Sequence, residues 1–207
     1  QRQMCIRDRS YLGIDSWALS GGSWGTTLAL AYAQYHPQRV AGLLLRGVFL
    51  ARQMDINWLY ERGGAARLRP EAFAAYEQFA SSAPSLLDAY GPLLAGEEPE
   101  ALQAARAMIG WEDSLCRLVP TQDAQPQDAQ ATLAMARLEQ HYLSKRCFLR
   151  ENQLLEDLHL ISHLPLRIVH GRYDLVCPLE QAWELHQNWE GSTLEVVEEA
   201  GHSSREL

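Results

Sequence analysis

The chain has 207 residues, of which 47% are apolar, and its 18 Lys and Arg against 26 Asp and Glu give a net charge of −8. This size accommodates one ordinary domain, or one domain with an inserted lobe. The negative charge argues against nucleic acid or an anionic membrane as a partner. No apolar run approaches the roughly 20 residues that span a bilayer, and no charged-then-apolar secretory signal begins the sequence, so we predict a cytoplasmic protein.

The four cysteines are widely separated, at Cys5, Cys116, Cys147 and Cys177. They form no C-x-x-C pair, so the pattern favours neither a zinc site nor a disulfide framework. We therefore predict reduced thiols, no metal site and no cofactor.

The first ten residues show neither helical nor strand periodicity. We interpret residues 1–10 as a non-native or disordered segment, with the end of a frayed helix as the alternative. A short strand is then predicted over residues 16–20. It is followed by a helix that reaches about His36, where Pro37 ends it.

A second strand is predicted over residues 40–48, which are almost continuously apolar. Such a run is typical of a parallel strand that helices cover on both faces. The order strand, helix, strand is a βαβ unit, so we predict a mainly parallel sheet and an α/β fold.

The composition changes over residues 55–155, which are rich in Ala, Leu, Glu and Arg at helical spacing and are interrupted by prolines. We predict an all-helical insertion, with a surface loop over the polar stretch 122–130. After it the α/β pattern returns, with a strand over 166–170, a helix over 179–189 and a strand over 193–197. The predicted domains are a first core part (11–54), a helical cap (55–155) and a second core part (156–207).

The pentapeptide Gly21-Gly22-Ser23-Trp24-Gly25 lies between the first predicted strand and the first predicted helix. In a G-x-S-x-G turn the glycines let the backbone fold sharply, which lifts the serine hydroxyl off the end of the sheet. Ser23 is therefore the candidate nucleophile. The backbone N–H of Trp24, the next residue, is a candidate donor to an oxyanion. A chance match in a Gly/Ser-rich loop is the alternative.

A serine nucleophile needs a base and an acid that orients the base, and in hydrolases with this elbow the acid precedes the base along the chain. Asp174 follows the predicted strand 166–170, and His202 follows the strand 193–197. We predict a catalytic triad of Ser23, Asp174 and His202. Separately, Asp174 could be a turn former and His202 an ordinary surface or core histidine.

Four segments carry a resemblance to a known family: GGSWGTTLALAYA (21–33), LRGVF (45–49), ARLEQHY (136–142) and HGRYDLVCP (170–178). Together they resemble proline iminopeptidase, also called prolyl aminopeptidase. The resemblance implies an α/β-hydrolase core with a helical cap. It also implies a serine peptidase that removes N-terminal proline without a metal, so its partners would be peptides with N-terminal proline. It implies no oligomeric state.

The same resemblance implies substrate-binding roles for four residues. Glu112 and Glu139 match positions that hold the substrate amine, with solvated helix glutamates as the alternative. Phe49 and Cys177 match positions that border the proline pocket, and each could equally be ordinary core.

The family also has a His-Gly-Gly-Pro-Gly loop before the elbow, and the 207 residues do not contain it. That loop supplies the second oxyanion donor, so we expect the chain to be inactive when expressed alone. Two other functions stay open. One is an esterase or C–C bond hydrolase with the same triad, and the other is a non-catalytic binding protein on the same scaffold.

Overall fold

A computed structural model describes residues 2–80, 82–119 and 128–206. The chain divides into two compact units. The sheet unit comprises Gln1–Leu50 and Asn152–Ala200, and the helical unit comprises Ala51–Glu151 and Gly201–Leu207.

The strands are β1 (Trp17–Ser23), β2 (Val40–Val48), β3 (Leu166–Gly171) and β4 (Thr193–Val197). The helices are α1 (Arg2–Tyr11), α2 (Trp24–Tyr35), α3 (Gln53–Tyr60), α4 (Pro70–Glu77), α5 (Leu86–Ala95), α6 (Glu100–Leu115), α7 (Ala129–Ser144), α8 (Gln153–Glu156) and α9 (Leu179–Gln187). Short 3₁₀ turns lie at Pro37–Arg39, Gly64–Arg67, Arg146–Phe148 and Asp157–Leu160.

The four strands form one parallel sheet in the order β1-β2-β3-β4. Parallel neighbours need crossover connections, and α2 supplies the one between β1 and β2, while α9 lies between β3 and β4. Both helices pack against the sheet. The α/β fold class predicted from the sequence is confirmed.

The middle of β2 is buried on one face and exposed on the other. Leu43 and Leu45 are at most 5% exposed, whereas Leu44 between them is 49% exposed. The register places Ser20, Leu44 and Arg167 side by side on the other face, and all three are exposed. The expectation that helices cover β2 on both faces is therefore wrong for the described residues, because an apolar run does not by itself show what lies on each face.

The helical unit has its own core of aromatic rings. Tyr76 stacks on Tyr90 with ring centroids 4.6 Å apart, and Phe73 meets the edge of Trp111 at 5.1 Å. Two of these rings also form hydrogen bonds: the Trp111 indole N–H donates to the Leu59 carbonyl at 2.8 Å, and the Tyr90 hydroxyl donates to the Tyr76 carbonyl at 2.7 Å. These bonds fix the ring orientations within α3 to α6.

The last residues, Gly201–Leu207, lie with the helical unit, and the predicted domain boundaries stay a prediction. The Ser203 N–H donates to the Cys116 carbonyl at 2.9 Å. The Leu118 and Gly201 N–H groups both donate to the Glu206 carboxylate. The bonds to Cys116 and Leu118 connect residues distant in sequence, so no local pattern in residues 201–207 could indicate them.

Two further segments differ from a simple reading of the sequence. Arg2–Tyr11 forms α1, and the interpretation of residues 1–10 as a non-native or disordered segment stays a prediction. Residues 122–127 of the predicted surface loop lie outside the described residues, and Asp128 caps α7 by accepting the Gln130 N–H at 3.0 Å. No helix in the described part of the chain is long and apolar enough to cross a membrane.

Candidate active site

Ser23 has a backbone conformation that side-chain-bearing residues rarely adopt, with φ 56° and ψ −125°. Such a conformation costs on the order of 1–3 kcal/mol and persists only where the surrounding structure enforces it. It lies at the junction of β1 and α2. A sharp turn from strand to helix at a serine is the geometry expected of a nucleophile elbow, and the role of Ser23 as the nucleophile stays a prediction.

Two glycines of the pentapeptide, Gly21 and Gly22, lie where a side chain would meet other atoms. A Cβ at Gly21 would lie 2.4 Å from the Gly25 carbonyl oxygen, and one at Gly22 would lie 2.5 Å from the Arg46 guanidinium. Any larger residue at Gly21 would push the first turn of α2 away from β1. The close approach of strand and helix therefore enforces the turn at Ser23.

Two buried threonines brace the elbow. The Thr26 hydroxyl donates to the Ser23 carbonyl at 2.7 Å and accepts the Phe49 N–H at 2.9 Å. The Thr27 hydroxyl donates to the Phe49 carbonyl at 2.6 Å. The first turn of α2 thus binds both backbone groups of the residue that follows β2. Sequence analysis missed this role, although two adjacent threonines in an otherwise Ala/Leu-rich helix are a signal, because threonine is a poor helix former.

Trp24 is the first residue of α2. Backbone N–H groups in the first turn of a helix point out of its N-terminus, which is the positive end of the helix dipole. This position is compatible with the predicted oxyanion donor, which stays a prediction.

Asp174 is held in a tight loop after β3. Its side chain is 1% exposed. One oxygen, Oδ1, accepts the backbone N–H of Val176 at 3.0 Å and that of Cys177 at 2.8 Å. Two backbone donors on one oxygen fix the plane of the carboxylate and stabilise its charge inside the protein.

A second histidine, which the sequence analysis did not single out, lies beside Asp174. His170 is fully buried at the end of β3. Its Nδ1 lies 3.2 Å from the Val48 backbone nitrogen, its Nε2 lies 2.8 Å from the Cys177 carbonyl, and Nε2 is 3.4 Å from Asp174 Oδ2. The only sequence signal is its position four residues before the predicted acid.

In the helical unit, Glu112 and Glu139 form a pair of neighbouring carboxyl groups. Burial raises the pKa of Glu139 well above its usual 4.5; the charge of Glu112 and a hydrogen bond with it raise the pKa further, while a hydrogen bond with Tyr60 lowers it. The Glu139 side chain is partly exposed along its length, yet its Oε2 is buried without a hydrogen-bond partner among the described residues.

Tyr60 completes this pair, and sequence analysis missed it. Its hydroxyl, which is fully buried, donates to Glu112 Oε2 at 2.7 Å. Burial, followed by the charges of Glu112 and Glu139, raises the pKa of Tyr60 well above its usual value, so the hydroxyl keeps its proton. Nothing in the sequence around Tyr60 distinguishes it from an ordinary core tyrosine.

The predicted site residues divide between the two units. Those in the sheet unit are Ser23, Trp24, Phe49, Asp174 and Cys177, and those in the helical unit are Glu112, Glu139 and His202. The structure brings Phe49 to the elbow, Cys177 to Asp174, and Glu112 to Glu139. His202 is 8% exposed, and its place in the triad stays a prediction.

Phe49 and Cys177 are 5% and 1% exposed, which is also what core residues would show, so their pocket roles stay predictions. Among the residues that the structure describes, no three His, Cys, Asp or Glu side chains lie together as metal ligands would.

The strained serine turn, the parallel sheet and the buried acid after β3 are the features of an α/β hydrolase. The family defined by the alpha/beta hydrolase fold matches residues 4–205, and the chain belongs to it.

Among curated proteins, the chain is 43% identical over 208 residues to a proline iminopeptidase of Arabidopsis thaliana, covering 96% of this chain and 54% of that protein. It is 44% identical to the proline iminopeptidase of Neisseria gonorrhoeae, covering 94% of this chain and 63% of that protein. The resemblance found in the sequence motifs is confirmed. The chain spans between about half and two thirds of the length of these relatives.

Solved structures agree on the fold. An alpha/beta fold family hydrolase from Bacillus anthracis superposes with a TM-score of 0.63 at 16% identity, covering 97% of this chain and 66% of that one. An esterase from Exiguobacterium antarcticum gives a TM-score of 0.51 at 26% identity, covering 98% of this chain and 65% of that one.

A first prediction concerns the glycine that enforces the elbow. We expect Gly21→Ala to lower the free energy of unfolding by about 1–3 kcal/mol, because its Cβ collides with backbone. The matched control is Gly25→Ala, where a Cβ meets nothing within 4 Å. Urea denaturation measures both. Equal stability of the two variants would contradict the steric account of the turn.

A second prediction concerns pH. Because the pKa of Glu139 is raised in the folded protein, its contribution to stability is lost as pH rises above the unfolded value of 4.5. Glutamine does not titrate, so Glu139→Gln should raise the melting temperature relative to wild type at about pH 8, and much less at about pH 5.

The exposed Glu190 provides the control, since Glu190→Gln should show no such pH dependence. If the melting-temperature difference between Glu139→Gln and wild type does not grow with pH, the raised pKa of Glu139 is contradicted.

Proposed function

We propose that the chain carries the nucleophile, acid, base and amine-binding residues of a serine aminopeptidase that releases N-terminal proline from peptides. The elbow and the acid loop support a serine hydrolase, but esterases would need them too. The observation that carries the narrower proposal is the Glu112–Glu139 pair, in which Glu139 Oε2 is buried. The curated relatives, which are named proline iminopeptidases, support the same substrate.

The chemical step follows from the predicted triad. His202 takes the proton of Ser23 as the hydroxyl attacks the substrate carbonyl, and Asp174 fixes the imidazole tautomer and stabilises its positive form. The Trp24 N–H donates to the oxyanion of the tetrahedral intermediate. An acyl-enzyme forms, the shortened peptide leaves, and water releases proline.

The carboxyl pair supplies what an aminopeptidase needs in order to recognise a chain end. The free N-terminus of a prolyl peptide is a cationic secondary amine with two N–H donors, and an internal peptide bond has neither that charge nor those donors. Burial and the charge of Glu112 raise the pKa of Glu139, which shows that holding two carboxyl groups together is unfavourable, and a substrate cation beside them would offset that cost.

Unpartnered polar atoms in this cluster support a ligand there. Glu139 Oε2 and the Tyr76 hydroxyl are both buried, and neither has a hydrogen-bond partner among the described residues. The Tyr76 ring lies 6.0 Å from that of Tyr60, which donates to Glu112. Buried polar atoms are nearly always bonded, so two such atoms in one cluster favour a polar ligand that supplies the missing bonds.

The test uses the chain together with whatever coding sequence precedes it in its own gene, called here the extended protein. We expect Glu139→Gln and Glu112→Gln to lower kcat/KM for prolyl naphthylamide by about 10- to 100-fold, because each removes a charge-assisted bond to the substrate amine. Hydrolysis of p-nitrophenyl acetate, which has no amine, should change by less than about twofold.

Glu190→Gln is the control for both substrates, since Glu190 is exposed in a turn after α9. An equal loss on both substrates would mean that the glutamates only maintain the fold. Unchanged rates on both would favour the esterase alternative, and an extended protein inactive on both would favour a binding protein.

A further inference from the structure

We propose that His170 is a positioning residue that fixes the Asp174 loop relative to the nucleophile elbow through a neutral imidazole. This inference rests on the proposed function, because it assigns His170 to the same Ser23, Asp174 and His202 machinery. It concerns a side chain that makes no contact with substrate.

The hydrogen-bond partners of His170 determine its tautomer. The Val48 backbone N–H can only donate, so Nδ1, at 3.2 Å, must accept and carries no proton. The Cys177 carbonyl can only accept, so Nε2, at 2.8 Å, carries the proton. Both ring nitrogens are therefore used, and the imidazole is neutral in this arrangement.

The shorter contact of His170 Nε2 is with the loop that carries Asp174 and not with the Asp174 carboxylate itself. Nε2 is 2.8 Å from the Cys177 carbonyl but 3.4 Å from Asp174 Oδ2. The N–H of the same Cys177 donates to Asp174 Oδ1 at 2.8 Å. His170 thus fixes Cys177, and Cys177 fixes the carboxylate, while Oδ2 is the oxygen that the proposed base would use.

On the other side of the imidazole ring, Nδ1 is connected through Val48 to the nucleophile elbow. Val48, which donates to Nδ1, precedes Phe49, whose N–H donates to the Thr26 hydroxyl at 2.9 Å. That hydroxyl donates to the Ser23 carbonyl at 2.7 Å. A series of hydrogen bonds, with one peptide link between Val48 and Phe49, therefore runs from Ser23 to the acid loop. His170 connects the Val48 end of this series to Cys177.

Burial makes this connection stiff. His170 and Thr26 are both fully buried, so water cannot replace a lost bond. A leucine at position 170 would fill much of the space but would leave the Val48 N–H and the Cys177 carbonyl without His170. The acid loop could then shift, and displacements of about 1 Å can cost about 100-fold in rate.

The experiment compares His170→Leu with His170→Gln in the extended protein. Glutamine can keep a donor toward the Cys177 carbonyl. For prolyl naphthylamide we expect His170→Leu to lower kcat about 100-fold with little change in KM, and His170→Gln to retain activity within about tenfold of wild type.

The pH profile separates positioning from stability. If Asp174 is displaced, it stabilises the protonated base less, so the acidic limb of kcat/KM should move to lower pH in His170→Leu. The control is Gln34→Leu, which removes another buried side-chain bond in the sheet unit, from Gln34 to the Leu154 carbonyl at 2.9 Å. It should lower stability and leave the limb unmoved.

The proposal is overturned if the acidic limb of the kcat/KM pH profile does not move in His170→Leu and the rates of this variant resemble those of Gln34→Leu. The same pH profiles can be measured with p-nitrophenyl acetate, a substrate that has no amine. If the wild-type extended protein cleaves this ester but releases no proline, the proposed function has failed, and the ester profiles still decide the role of His170.

Discussion

The contact between Gly21 and the Gly25 carbonyl is the constraint on which the rest of the sheet unit depends. It lets the first turn of α2 lie directly against the end of β1, so that Ser23 is forced to φ 56°. The same approach brings Thr26 and Thr27 to the backbone of Phe49. A local steric condition thus fixes the serine and the end of the neighbouring strand.

The helical unit holds a different kind of constraint, which is electrostatic. Two carboxyl groups and a tyrosine hydroxyl lie together at Glu112, Glu139 and Tyr60, beside an aromatic core. Burying carboxyl groups without a cation is unfavourable, and the raised pKa of Glu139 is the expected response. In the proposed function the cationic substrate amine lies beside the two carboxyl groups and offsets the cost of holding them together.

Sequence analysis succeeded where the signal is local. The nearly continuous apolar run predicted β2 over its full extent of Val40–Val48, and the pentapeptide indicated the turn at Ser23. It failed where partners are distant in sequence. The bonds of His170 to Val48 and of Tyr60 to Glu112 join residues 122 and 52 positions apart, which no window along the chain reveals. Exposure of Leu44 was missed because it depends on what covers each face.

The central claim is that Ser23 is a nucleophile serving a substrate with a free prolyl amine. The most direct test is the labelling of the extended protein by a fluorophosphonate, with the modified residue identified by peptide mass mapping. The account predicts a single adduct on Ser23 whose formation is slowed by prolinamide and not by N-acetylprolinamide. A label absent from Ser23, or equal protection by the two amides, would contradict it.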